Sequence, residues 1–219
     1  MLAGTTAAAL VGRPAPIAAL AIVSFGLLIV VGRGAWTPLG PFGAANSVTV
    51  IRLAMLVACG LWFYRARGEI IAAVVLGVFA LDAVDGWLAR KTGAASAFGA
   101  HFDMETDALL VLVIDLLLWQ RGTLGPWILT AGLLRYVYVL FVAALPGDAA
   151  PMPKARWARA AFGALVVGLA LALALENVLG AVAALLGTAL VTASFARSFH
   201  WSWVRARQIR APPGNATGR

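Results

Sequence analysis

Seven apolar runs divide the chain, at residues 15–31, 46–64, 70–90, 99–119, 127–145, 157–176 and 178–197. Each is close to the ~20 residues that an α-helix needs to cross the hydrocarbon core of a bilayer. Stretches rich in Gly, Pro or charge separate them, among them GRGAWTPLGPFGAAN at 32–46 and PGDAAPMPK at 146–154. Lipid offers no partner to a backbone N–H or C=O, so only helices and closed barrels span it, and runs this long read as helices. Of the 219 residues 62% are hydrophobic and 12% charged, about half the charge of a soluble domain. The expected fold is all-α: a polytopic membrane helix bundle of six core transmembrane helices plus one extra N-terminal apolar helix. Helices in lipid associate through small residues, and 23 glycines supply them. The run at 15–31 reads as an uncleaved helix, spanning or interfacial, because no small-residue cleavage site follows it.

The net charge of +8 comes from 17 Lys and Arg against nine Asp and Glu. In a membrane protein such an excess sets orientation and meets anionic headgroups, and no nucleic-acid partner is expected. The basic end of the chain, with Arg205, Arg207 and Arg210, belongs on the cytoplasmic side. The spacing predicts three parts: an N-terminal helix and Gly/Pro loop at 1–45, a membrane domain at 46–200, and a basic, disordered tail at 201–219. Cys59 stands alone, so no disulfide forms within the chain, and it reads as a packing residue.

Five of the nine acidic residues lie in one stretch, Leu81 to Asp107. A charge at mid-bilayer costs at least ~2.5–3.5 kcal/mol, so five carboxylates there need a cation or a polar cavity. On a helix Asp82, Asp85, Gly86 and Ala89 share one face, and so do Gly99, Asp103 and Asp107. Two antiparallel helices with a short link bring those faces together. Oxygen ligands in that number suit Mg²⁺, Mn²⁺ or Ca²⁺ rather than Zn²⁺, and such ions serve phosphate chemistry. Read without any family likeness, aspartates in membrane segments also suit a cation- or proton-coupled transporter.

The pattern Asp82-x-x-Asp85-Gly86-x-x-Ala89-Arg90, eight residues, then Gly99-x-x-x-Asp103-x-x-x-Asp107 resembles the signature of the CDP-alcohol phosphotransferases at all eight fixed positions. At average residue usage a chance match is on the order of 10⁻⁸. Asn46-x-x-Thr49-x-x-Arg52 is similar to the start of that family's first core helix. The resemblance implies transfer of a substituted phosphate from a CDP-linked donor to an alcohol, with release of CMP, in phospholipid biosynthesis. It implies that Asp82, Asp85, Asp103 and Asp107 hold one or two Mg²⁺ or Mn²⁺ ions, and that Asp107 is the general base. Asn46, Thr49, Asp82, Gly86, Ala89, Arg90 and Gly99 would bind the CDP donor. A homodimer in the cell's inner membrane, its site facing the cytoplasm, is the matching expectation.

CDP-diacylglycerol is the expected donor. The acceptor is a small polar alcohol, and Arg135, Lys154 and Arg156 suit one carrying its own phosphate, such as glycerol 3-phosphate or inositol phosphate. Transfer of a headgroup from a CDP-linked alcohol to diacylglycerol is the alternative. Arg52 either snorkels to the interface or faces a polar cavity. Glu105 points off the Asp103/Asp107 face, as a bystander at the rim or a tuner of acceptor choice. His101 reads as an interfacial hydrogen-bonding residue. Asp115 is expected to pair with an intramembrane arginine.

Overall fold

The computed structural model describes residues 14–62, 65–145 and 156–210. Seven α-helices follow one another there: α1 Pro14–Val31, α2 Ala44–Trp62, α3 Gly68–Thr92, α4 Ala97–Gln120, α5 Leu129–Ala144, α6 Arg156–Leu175 and α7 Val178–Arg210. A 3₁₀ turn at Pro126–Ile128 leads into α5. The described residues contain no strand. By length and composition α2, α3, α5 with its leading turn, α6 and α7 are apolar enough to cross a membrane. Helix α4 is as long but carries Asp103, Glu105, Asp107 and Asp115. The chain is a multi-pass helical membrane protein.

Helix α4 runs through the middle of the bundle, packed against α2, α5 and α6. Its buried Leu110, Ile114 and Leu118 join Leu56 of α2, Ile71 of α3 and Leu165 and Leu169 of α6 in the core. Helix α1 lies on α2 and places Phe25 edge-on to Phe102 of α4. The most extensive contact joins α6 to α7, where small residues let the backbones touch. A Cβ on Gly180 would stand 2.8 Å from Ala172 Cα, and one on Gly187 2.7 Å from Leu165 Cα.

Two boundaries differ from the sequence reading. Asn46, the first residue of the second apolar run, sits inside the first turn of α2, because the helix begins at Ala44. The last span, expected to end near residue 197, continues as helix through Arg210. Arginines and tryptophans are acceptable helix formers, and the first residues that stop a helix are Pro212 and Pro213. At 1.5 Å per residue the 33 residues of α7 span about 50 Å, against a hydrocarbon core of ~30 Å. Residues 201–210 are therefore a helical extension rather than part of a disordered tail, while 211–219 lie outside the described residues.

Candidate active site

The helices that carry the motif are shaped locally for it. Helix α3 stops at Gly93, whose φ of 66° is left-handed and closes the helix by an N–H bond to Ala89 O; glycine takes that conformation without strain. Helix α4 restarts at Ser96, whose hydroxyl caps the Gly99 N–H at 2.9 Å. The Ser96 hydroxyl also donates to Trp36 O at 2.7 Å. Asn46 Nδ2 reaches the same carbonyl at 3.2 Å and Phe42 O at 2.6 Å. The loop after α1 is thus tied to α2 and to the start of α4.

All four motif aspartates converge on one side chain, Arg52 of α2. Its Nη1 donates to Asp82 Oδ1 at 3.1 Å, Asp85 Oδ2 at 2.9 Å and Asp103 Oδ1 at 2.6 Å. Its Nη2 donates to Asp107 Oδ1 at 2.6 Å. The guanidinium is fully buried. Thr49, one turn earlier on α2, donates to Asp85 Oδ2 at 3.0 Å. Of the two readings left open for Arg52, the polar cavity is the one the structure shows. Sequence inspection missed its place as the hub of the cluster. The available signal was the three-residue spacing of Asn46, Thr49 and Arg52, which sets them on one helical face.

The cluster has the chemistry of a divalent-cation site. Oxygen atoms of Asp82, Asp85 and Asp103 lie within 4.8 Å of one another. Ligands on opposite sides of an octahedral Mg²⁺ are about 4.2 Å apart; a cation among these oxygens needs Arg52 Nη1, which now meets the same three carboxylates, to draw back. Four carboxylates against one guanidinium leave the cluster three charges negative, and all donors are hard oxygens.

Among the described residues, two cavities reach the motif aspartates. One, of about 270 Å³, is lined by Asn46, Thr49, Gly86, Ala89, Arg90 and Gly99 together with Asp85 and Asp103. Asp82 is on Arg52 and is not among those lining residues. The second, of about 170 Å³, holds Asp107 and Arg135 among apolar side chains such as Met104, Phe162 and Phe195. Arg135 does not stand free: its Nη2 is hydrogen-bonded to Glu105 Oε1. His101 Nε2 lies 4.0 Å from the same oxygen. Lys154 lies outside the described residues, as does the side chain of Arg156. Among the described residues Asp115 is not paired with an arginine. It is fully buried and accepts the Gly132 N–H of α5 at 2.9 Å, which the first turn of that helix presents to it.

Known proteins resemble parts of this chain in sequence. A curated relative named archaetidylinositol phosphate synthase, from Pyrococcus horikoshii, is 40% identical over 65 residues, 29% of this chain and 34% of the relative. The matched stretch thus spans about a third of that relative's length. No solved structure matches the chain significantly. The family model described as CDP-alcohol phosphatidyltransferase matches residues 42–193, which take in α2 to α6, about the first half of α7, the Arg52 cluster and the lining of both cavities except Phe195. The chain belongs to the CDP-alcohol phosphatidyltransferase family.

Proposed function

We propose that the protein transfers a phosphatidyl group from CDP-diacylglycerol to the hydroxyl of a small polar alcohol and releases CMP. The observation that carries this is the convergence of Asp82, Asp85, Asp103 and Asp107 on buried Arg52 beside a cavity floored by small residues. Gly86, Ala89 and Gly99 leave that cavity the space for a nucleotide. Arg90 and the amide of Asn46 stand at its wall to meet phosphate, ribose or base. Mg²⁺ or Mn²⁺ on the four aspartates would offset the charge of the donor diphosphate.

The acceptor oxygen attacks the phosphorus that bears the diacylglycerol. A new P–O bond forms, the P–O bond to the CMP phosphate breaks, and CMP leaves with that electron pair. An alcohol is a weak nucleophile until its proton is taken; Asp107, which faces the second cavity, takes it. Helix α7 ends at the same face of the bundle as the site, since Tyr138 of α5 meets Ser202 at 2.9 Å. Its extension carries Arg205, Arg207 and Arg210, which supports a site on the cytoplasmic side of the inner membrane.

The test is CMP release by purified protein from CDP-diacylglycerol with a panel of alcohols, the lipid product identified by mass. Asp107→Asn is expected to lower turnover by at least 10²-fold, and EDTA to abolish it. Wild-type turnover by Asp107→Asn would remove the general base from the scheme. The mostly apolar wall around Asp107 favours a second reading, a diacylglycerol acceptor with a CDP-linked headgroup as donor. That reaction makes CMP only when diacylglycerol and the CDP-linked alcohol are both supplied.

A further inference from the structure

Glu105 is the one acidic residue of the motif stretch that the Arg52 cluster leaves out. Two residues from Asp103 and two from Asp107, it is rotated about 200° round α4 from each. Its partner is Arg135 of α5, and both side chains are about one-fifth exposed, 22% and 20%. Arg135 lines the cavity that Asp107 faces, and among the described residues it is the only cation that does so. Its Nε makes no hydrogen bond among the described residues.

Reading Arg135 as a free cation is part of what suggests a phosphorylated acceptor. The ion pair takes Arg135 out of that ground. We propose that Glu105 is a specificity-determining residue, which by holding Arg135 sets this cavity for an uncharged hydroxyl compound and against a phosphorylated one. This rests on the transferase reading above, with Asp107 as the base that meets the acceptor.

The physical argument is one of charge. An unpaired guanidinium would take a phosphate through bidentate, charge-assisted hydrogen bonds. With Glu105 in place an entering phosphate has two options. It sits beside a carboxylate, and like charges repel, or it displaces the carboxylate and leaves it half-buried without its partner. An uncharged polyol meets neither penalty. The guanidinium N–H groups of Arg135 that Glu105 leaves over can donate to its oxygens. Selectivity thus comes from a repulsive element as well as an attractive one.

The experiment measures kcat/KM for CMP release from CDP-diacylglycerol in detergent micelles. It compares glycerol with glycerol 3-phosphate and myo-inositol with its phosphate, for wild type, Glu105→Gln and the double variant Glu105→Ala/Arg135→Ala. Wild type is expected to favour the unphosphorylated member of each pair. Glu105→Gln, nearly equal in shape, is expected to shift the ratio roughly tenfold or more toward the phosphorylated member, about 1.4 kcal/mol. The double variant is expected to lose that shift, since no free cation remains. Preference of the wild type for phosphorylated acceptors overturns the proposal, as does a ratio that Glu105→Gln leaves in place or that the double variant keeps shifted. If the wild type releases no CMP with any alcohol, the transferase reading itself falls. If CMP is released and the ratio stays put, only the role of Glu105 falls.

Discussion

Arg52→Met removes the positive charge on which four carboxylates meet and leaves a stem of similar length in its place. Breaking a buried ion pair by deleting one partner costs about 3–5 kcal/mol, because the remaining charge stays uncompensated. Here the side chains of Asp82 and Asp103 keep 32% and 33% exposure. Water relieves part of the cost, so the lower bound of about 3 kcal/mol is the appropriate figure. For a chain of this size each kcal/mol moves the melting temperature by about 2–4 °C, which gives a loss of about 6–12 °C. The assay is thermal unfolding in detergent after EDTA treatment, repeated with millimolar Mg²⁺ or Mn²⁺. A ligand that binds only the folded state raises its stability, and the variant has the larger uncompensated negative charge. Divalent cation is therefore expected to raise the melting temperature of Arg52→Met more than that of wild type. A variant that melts within about 2 °C of wild type in EDTA, or that gains no more from the cation, would refute the claim that Arg52 neutralises the cluster.

Two further outcomes follow from the geometry. Asp115 contributes an acceptor for the Gly132 N–H, so Asp115→Asn is expected to melt within a few degrees of wild type. Asp115→Leu, which removes that acceptor from a buried donor, should cost about 1–3 kcal/mol; equal melting of the two variants would show that the bond is immaterial. At Gly86 a Cβ would meet only the flexible guanidinium of Arg90, at 3.3 Å. Gly86→Leu is therefore expected to preserve the fold while filling the cavity, raising KM for the CDP donor at least tenfold with little change in melting temperature.

The apolar runs were enough to locate each of the seven described α-helices, because in lipid the length of a span is set by the bilayer and the backbone has no alternative partner. Helical phase alone sorted the carboxylates into Asp82 and Asp85 on one face, Asp103 and Asp107 on another, and Glu105 apart. What it left open are contacts between helices distant in sequence. The reach of Arg52 to Asp107 crosses 55 positions and that of Arg135 to Glu105 crosses 30. No local pattern records which side chains such helices turn toward each other. Asp115 was matched with the wrong kind of partner for a related reason. A backbone N–H at a helix start is present whatever residue carries it, so it leaves no mark on the sequence. The length of α7 was underread because charge was treated as a helix end, whereas charge marks the edge of the lipid and says little about the backbone.

Asp103 lines one of the two cavities at the site, and Asp107, a single turn on along the same face of α4, lines the other. On the proposed reading a nucleotide lipid in the first and an alcohol in the second would enter separately and meet at the aspartates between them. Neither has to vacate its seat for the other to enter, and no covalent relay through the protein is called for. Initial-rate plots at varied concentrations of both substrates should then give intersecting lines, the mark of a ternary complex, rather than the parallel lines of a ping-pong exchange.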